Sequence, residues 1–527
     1  MRHIARRPGG TRTTIVLAAA FAVTAFSVDQ RNIDRVAAAQ TGAAAVLTVR
    51  APAGQDLGTI VDRIDPGGNQ AAAVDRSAGD TDNGAVLLAV QPQRFARVAQ
   101  WRSGFVGRPP ASVGAALDPR VPPAVTLPTG SAAVRVRVTS QAGSVPEAAL
   151  TLWVAEQGSP DGGQTPISLG ALHKGWLSAT LTACPCRVTM VSIDTPTGIR
   201  VQTQGSVTLT GLSAQVGGTW VPVPAALTSA DGWAATAENQ VGCGSTTGQV
   251  LAGPGGLRWS FSSGSACNPA LDRRDTPSPL PALVSSQLTS RLRAIPAVGL
   301  DGQQLMVKPI ALAAAVPGAP ATGIVVDRAY AQRVAYFTYD GAVTEQVWVA
   351  PGALAAVRAK LAAAGVTIDG VATAANAKAA LMRQGPALAS VLFLAAAVAA
   401  ALLAAGAAVL GLYQAGRRRR YEYAAMVVGR VPRRALRSSV FIEQATVLGF
   451  GVVTGVAAGI GSAVLVLRNL PEFPAPPAAP PLLFAPAATQ VLVPLIVIVA
   501  LLVAAATVAA VALIRSVRPE LLREAPP

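Results

Sequence analysis

Apolar residues are concentrated in a few long blocks of the chain. Three nearly uncharged blocks run from Leu388 to Leu412, from Val440 to Leu467 and from Val491 to Ile514. At about 1.5 Å per helical residue, each is long enough to cross a hydrocarbon core of about 30 Å. The pattern therefore predicts three membrane helices, and a shorter apolar block from Thr13 to Val28 predicts a fourth.

This first block, Thr13 to Val28, has two interpretations. Arginines precede it and small residues occur near Ala25 and Ser27, which is typical of a cleavable signal peptide. It also continues without a turn into VDQRNIDRVAAAQ, where apolar residues recur at helical spacing. The second pattern favours a membrane helix extended by an external stalk.

From about residue 130 to residue 270 the apolar pattern has a period of two. Val134, Val136 and Val138 alternate with Arg135 and Arg137, and similar short runs follow between Gly, Ser and Pro clusters. This spacing predicts a β-sandwich. Segments that alternate strand-like and helix-like patterns flank it, so we expect the sandwich to be inserted into one α+β domain.

These patterns predict a multi-pass α-helical membrane protein with four transmembrane helices and a large extracytoplasmic α+β domain that carries an inserted β-sandwich. In chain order, the predicted segments are a cytoplasmic N-terminus (1–12), transmembrane helix 1 (13–29), the first part of the α+β domain with its stalk (30–128), the sandwich (129–272), the second part of the α+β domain (273–386), transmembrane helix 2 (387–413), a cytoplasmic coupling loop (414–439), transmembrane helix 3 (440–467), an external loop (468–488), transmembrane helix 4 (489–514) and a cytoplasmic tail (515–527).

Charge supports this topology. Only 13% of residues are charged, against roughly a quarter in soluble domains, and the net charge is +16. Basic residues cluster before the first block, at Arg417 to Arg437 and after the fourth block. Since short cytoplasmic loops collect Lys and Arg, we expect a cell (plasma) membrane protein with both termini in the cytoplasm. The basic residues then have a topological role, and nucleic-acid binding is not expected.

The chain lacks the residues of common catalytic sites. Its only histidines are His3 and His173, so no Ser-His-Asp or Cys-His arrangement can form outside the membrane, and no P-loop sequence occurs. We therefore expect no enzyme activity and no metal or cofactor in this chain. One acidic cluster lacks the distal Glu of a calcium loop and is predicted to be a solvated loop, namely Asp75, Asp80, Asp82 and Asn83.

All four cysteines lie in the segment predicted to be outside, where thiols oxidise: Cys184, Cys186, Cys243 and Cys267. Three connectivities are possible. A bridge between Cys243 and Cys267 is preferred, which leaves Cys184 and Cys186 to pair across a tight ring or to cross-link elsewhere. The predicted sandwich also holds five tryptophans, interpreted as core anchors or as platforms for sugar rings: Trp153, Trp176, Trp220, Trp233 and Trp259.

Several local motifs in the C-terminal part of the chain, which contains three of the apolar blocks, resemble those of a known protein family. RRYEYAAMVVGRVPRRAL, followed by Glu443, resembles the R-x-x-E-x-A loop that ends in G-x-x-R-R in FtsX-like, MacB-like permease subunits of ABC transporters. LPEFP and the tail IRSVRPELLRE are further matches, so the resemblance is strong from about 386 to 527. The chain departs from the family pattern at Val427 and Gly429, and it holds a single four-span half where many relatives hold two.

The resemblance implies that a separate ATPase, which binds ATP and Mg, docks beneath the membrane and drives the external domain through the stalk. It implies a second permease subunit, identical or different, contact with membrane lipid, and export or extraction of a hydrophobic or envelope substrate. The implied ATPase-coupling residues are Arg420, Glu422, Arg433, Arg434 and Glu443.

Independently of the resemblance, Gly451, Gly455 and Gly459 form a G-x-x-x-G ladder in the third apolar block. Such a ladder allows close approach of another helix, either of a second subunit or of the same chain. Three alternatives to the transporter remain. They are a non-transporting membrane regulator or sensor of cell-wall hydrolysis or glycan, a truncated half-permease, and a membrane-anchored adhesion protein.

Overall fold

A computed structural model describes residues 8–78, 84–144, 148–156, 164–182, 186–194, 203–224, 227, 229–237, 247–253, 255–263, 268–335, 343–400, 402–403, 406, 426, 432–486 and 488–515. The chain forms two compact units. We call Met1–Ala37 together with Ala375–Pro527 the helical unit, and Ala38–Ala374 the sheet unit.

The helices and strands have the following bounds. The helices are α1 (Pro8–Thr41), α2 (Leu57–Ile64), α3 (Pro92–Val98), α4 (Pro110–Leu117), α5 (Arg328–Val334), α6 (Leu354–Ala363), α7 (Ala374–Met382), α8 (Gly385–Ala400), α9 (Arg433–Leu467) and α10 (Ala488–Arg515). The strands are β1 (Ala45–Arg50), β2 (Ala71–Ala78), β3 (Val86–Val90), β4 (Val125–Thr126), β5 (Ser131–Ser144), β6 (Ala149–Glu156), β7 (Gln164–Ala171), β8 (Gly175–Thr180), β9 (Cys186–Asp194), β10 (Thr203–Val216), β11 (Thr219–Pro222), β12 (Trp233–Ala237), β13 (Thr247–Gly253), β14 (Gly256–Ser263), β15 (Pro269–Arg273), β16 (Leu280–Ser285), β17 (Ile295–Val298), β18 (Gln304–Ala313), β19 (Gly323–Asp327), β20 (Val343–Val349) and β21 (Thr367–Thr373).

The predicted fold class, a helical membrane protein with four transmembrane helices, is wrong. Strands make up 36% of the chain, so β-sheet is its main architecture. Among the residues that the structure describes, one helical segment, Gly449–Leu467, is long and apolar enough to cross a membrane. The pair α7 and α8, which meet at a 70° bend just before the second predicted span, would add one further span if the two helices cross together, and the described apolar stretch Ala488–Leu501 of α10 is shorter. Four spans are therefore more than the described helices support.

The sheet unit is built on a nine-stranded sheet in the order β17–β18–β16–β19–β3–β2–β20–β1–β21. Its strands come from both sides of the residues that form the sandwich, and β3 and β19, which are far apart in sequence, pair in parallel. VLLAV of β3 and GIVVD of β19 are buried along their whole length. Continuous apolar runs of this kind are typical of parallel strands covered on both faces.

The sandwich consists of two six-stranded antiparallel sheets. One contains β13, β14, β10, β5, β8 and β11, and the other contains β12, β15, β9, β6, β7 and β4. Val134, Val136 and Val138 point into the shared core with the fully buried Trp259, while the intervening arginines point outwards. Buried Cys186 at the start of β9 is disulfide-bonded, and the other three cysteines lie outside the described residues.

A buried charge cluster joins the first and last parts of the sheet unit. Arg328, at the first position of α5, lies 2.7 Å from Asp56, the N-cap of α2, and 2.8 Å from Asp75 on β2. Burial alone raises the pKa of Asp56, but Arg328 and the Thr59 amide outweigh it and lower that pKa. The interpretation of Asp75 as part of a solvated loop is wrong because this carboxylate is buried in the sheet, and Asp80, Asp82 and Asn83 lie outside the described residues.

We expect Arg328→Gln to lower the free energy of unfolding by about 3–5 kcal/mol, since it leaves the buried Asp75 and the partly buried Asp56 without their cation. Arg50→Gln is the matched control, because Arg50 and its partner Asp369 are largely exposed and such pairs contribute about 0–1 kcal/mol. Urea denaturation followed by tryptophan fluorescence measures both. Equal losses in the two variants would contradict the structural role of the cluster.

Candidate functional site

Helix α1 is the element around which the helical unit packs. Gly459 of α9 lies against it so closely that a Cβ there would stand 2.6 Å from both Leu17 O and Ala20 Cβ. Further along, Ala463 and Leu467 of α9 pack with Ala25 and Val28 of α1. The residue numbers rise together in the two helices, so α1 and α9 run in the same direction.

The C-terminal half of α1 is polar and nevertheless buried. Asp29, Asn32 and Arg35 are each less than about one tenth exposed, at 6%, 1% and 3%. A buried polar side chain is destabilising unless it is hydrogen-bonded, so this part of the helix requires partners. Most of them come from the segment between α9 and α10, residues 468–487, which we call the clamp loop.

Asn32 is the centre of this contact. Its Nδ2 donates to Glu472 Oε2 at 2.6 Å and to Leu483 O at 3.1 Å, and its Oδ1 accepts from Leu483 N at 3.0 Å. One side chain of α1 therefore holds two separate points of the clamp loop. Apolar packing of Ile33 and Val36 with Phe473 completes the contact.

Charged groups extend the contact on both sides of Asn32. Arg31 donates to Ala485 O at 3.3 Å, and Arg35 to Pro481 O at 3.5 Å. On the side of α7 and α8, Ser390 donates to Asp29 at 2.7 Å, and Lys378 lies 3.3 Å from Asp34. The polar face of α1 is thus fixed to three other elements of its unit.

Glu472 is the titratable group of this contact. Burial raises its pKa to about 7; the hydrogen bond from Asn32 opposes the shift, and Asp29 adds to it. Its Oε1 is buried without a hydrogen-bond partner among the described residues, which is less unfavourable for a protonated carboxyl than for a carboxylate. The contact is therefore expected to respond to pH near neutrality.

Both chain connections between the two units start from neighbouring strands. The last turn of α1, which belongs to the sheet unit, is held by a hydrogen bond from Gly318 N to Ala39 O, and β1 starts soon after it. β21 pairs with β1 and is followed directly by α7, where Ala374 N donates to Ala44 O. The edge strand β21 and its neighbour β1 are therefore joined in the chain to α7 and α1, the two helices linked by the Lys378–Asp34 pair.

The structure places the sequence-predicted site residues as follows. Arg433 and Arg434 start α9, and Glu443 lies within that helix, whereas Arg420 and Glu422 lie outside the described residues. Gly451, Gly455 and Gly459 are all buried, and the neighbour of Gly459 is α1 of the same chain. The sequence patterns did not predict the contact between Asn32 and Glu472. Asn32 lies in the predicted stalk, and Glu472 lies in the LPEFP sequence of the predicted external loop.

Comparison of the chain with protein-family models and with curated proteins gives no match.

We expect Gly459→Ala to lower the free energy of unfolding of the helical unit by about 1–3 kcal/mol, because the added methyl group meets the backbone of α1. Gly461→Ala is the matched control in the same helix, since a Cβ there meets nothing within 4 Å. Thermal denaturation in detergent compares the two variants. A Gly461→Ala loss as large as that of Gly459→Ala would show that the close approach is not required.

Because the pKa of Glu472 is raised in the folded chain, the direction in which the stability of the helical unit changes with pH can be predicted. Between the ordinary glutamate pKa of about 4.5 and the folded value of about 7, the folded chain binds more protons at this site than the unfolded chain. We therefore expect the stability of the helical unit to fall as pH rises through this window. Glu472→Gln keeps an acceptor for Asn32 and should remove this part of the slope.

The control is Asp34→Asn, because Asp34 lies two residues after Asn32 in α1 but its side chain is 43% exposed. Melting temperatures measured from pH 4.5 to pH 8 should show the wild-type slope in this variant. An unchanged slope in Glu472→Gln would rule out Glu472 as the titrating group.

Proposed function

We propose that this chain is a permease-type membrane subunit of an FtsX-like, MacB-like ABC transporter. In this proposal it passes movement between a membrane-anchored helical unit and an extracytoplasmic sheet unit. The observation that carries the proposal is the buried polar contact of α1 with Glu472 and Leu483. A helix of 34 residues that is fixed at its polar face and is followed in the chain by β1 is suited to transmitting a displacement.

We place the start of α9 at the cytoplasmic face of the cell membrane. Arg433, Arg434 and Arg437 lie in its first turns, and the apolar segment follows. Because α1 runs parallel to α9, the N-terminal end of α1 then lies on the same side and the clamp loop lies on the external side. The disulfide of Cys186 agrees with an extracytoplasmic sheet unit, since disulfides persist in oxidising compartments.

The partner in this proposal is a separate ATPase that binds ATP and Mg and docks on the segment around Arg417 to Arg437. The residues proposed to couple to it are Arg420, Glu422, Arg433, Arg434 and Glu443. A second permease-type subunit, identical or different, completes the complex within membrane lipid. The substrate class is a hydrophobic or envelope molecule, exported or extracted by movement of the sheet unit.

The test is co-purification of the tagged chain from membranes with the ATPase encoded beside it, followed by ATP hydrolysis in lipid nanodiscs. The double charge reversal Arg433→Glu with Arg434→Glu should reduce association and hydrolysis at least about tenfold, because it replaces attraction with repulsion at the docking surface. The control is Arg358→Glu, which reverses the charge of an exposed residue on α6 and should have no effect. Failure of any ATPase to co-purify, or full activity of the double reversal, would contradict the proposal.

A further inference from the structure

The outward face of one sandwich sheet carries two arginines and two tryptophans in one cluster. We call Arg135, Arg137, Trp176 and Trp220 the indole–arginine patch. Arg135 Cζ lies 4.1 Å from the centroid of the Trp176 ring and 4.4 Å from that of the Trp220 ring, and Arg137 Cζ lies 5.8 Å from Trp176. The Arg135 guanidinium thus interacts with both indoles.

Strand register and one glycine create this arrangement. On β8, Trp176 pairs with Arg137 of β5, and on the other side of β5, Arg137 pairs with Gly211 of β10. A Cβ at Gly211 would stand 3.3 Å from Trp176 Cη2, so the indole reaches across β5 over the space left by the glycine. Trp176 remains 41% exposed, which leaves part of its ring accessible to a ligand.

Among the described residues, the two arginines of the patch lack the carboxylate partners that three other arginines of the sheet unit have. Arg94, Arg187 and Arg328 all lie within 3.1 Å of carboxylates, whereas no described carboxylate forms an ion pair with Arg135 or Arg137. Within the described part of the chain, Arg135 Nε is also buried without a hydrogen-bond acceptor. The patch therefore combines positive charge that lacks an anion with an exposed aromatic ring.

We propose that the indole–arginine patch binds an acidic polysaccharide, a chain of sugar rings that bear carboxylates. The C–H face of a sugar ring packs on the exposed part of Trp176, and a carboxylate accepts hydrogen bonds from the Arg137 guanidinium, a geometry in which arginine often binds bidentately. Arg135 orients both indoles and adds positive potential. This proposal is independent of the coupling role of α1.

Binding of the full-length chain in nanodiscs is measured with polygalacturonate as the carboxylated polymer, dextran as the neutral polymer and poly-glutamate as the acidic peptide. We expect polygalacturonate to bind and to quench tryptophan fluorescence. Arg137→Gln and Trp176→Ala should each weaken this binding about tenfold, through the loss of one charge-assisted contact or of one stacked ring. Arg137 is exposed, so its replacement tests the site without disturbing the sandwich core.

Arg258→Gln is the matched control, because Arg258 is exposed on β14 of the same sheet and pairs with Thr208. This variant should bind polygalacturonate as tightly as the wild type. Absence of polygalacturonate binding, equal binding of dextran, or equal loss in the Arg258 variant would overturn the proposal. Binding of poly-glutamate that is unaffected by Trp176→Ala would also overturn it and assign the patch to acidic protein segments.

Discussion

The hydrogen bond between Asn32 and Glu472 satisfies two polar groups that are both removed from water, 440 residues apart in the chain. Losing this hydrogen bond would destabilise the fold, since an unpaired buried polar group costs about 1–3 kcal/mol. The position of α1 relative to the clamp loop is therefore tied to this pair. Packing of α9 through Gly459 and the hydrogen bond of Ser390 to Asp29 act on the same helix, so the helical unit is organised around α1.

The chain passes from α1 into β1 and from β21 into α7, and these two strands are paired neighbours in the nine-stranded sheet. The Asp56–Arg328–Asp75 cluster fixes the sheet further along, where the parts of the chain before and after the sandwich meet. The sandwich is inserted between these parts of the chain.

Local patterns in the sequence were sufficient for some elements and not for others. The alternation of Val134, Val136 and Val138 with Arg135 and Arg137 predicted a strand, and β5 is that strand, because a period of two is a local property. The burial of Asp75 was not predictable, since its partner Arg328 is 253 positions later and a carboxylate at the start of an acidic, polar run resembles a loop residue. The prediction of a four-helix membrane fold failed because the hydropathy of a few apolar blocks does not report how much of the chain forms sheet. The contact between α1 and the clamp loop was not predictable for the same reason, because it joins segments that are far apart in the sequence.

Transmission through α1 is the central claim, and a distance measured with and without ATP tests it most directly. Val371 on β21 of the sheet unit and Leu470 in the clamp loop of the helical unit are both exposed and can carry spin labels. Pulsed electron paramagnetic resonance then measures the distance between the two labels. In a complex with the proposed ATPase, the account predicts that ATP shifts this distance distribution in the wild type and that Asn32→Leu abolishes the shift. A distribution that ATP leaves unchanged in the wild type, or a full shift in Asn32→Leu, would contradict it.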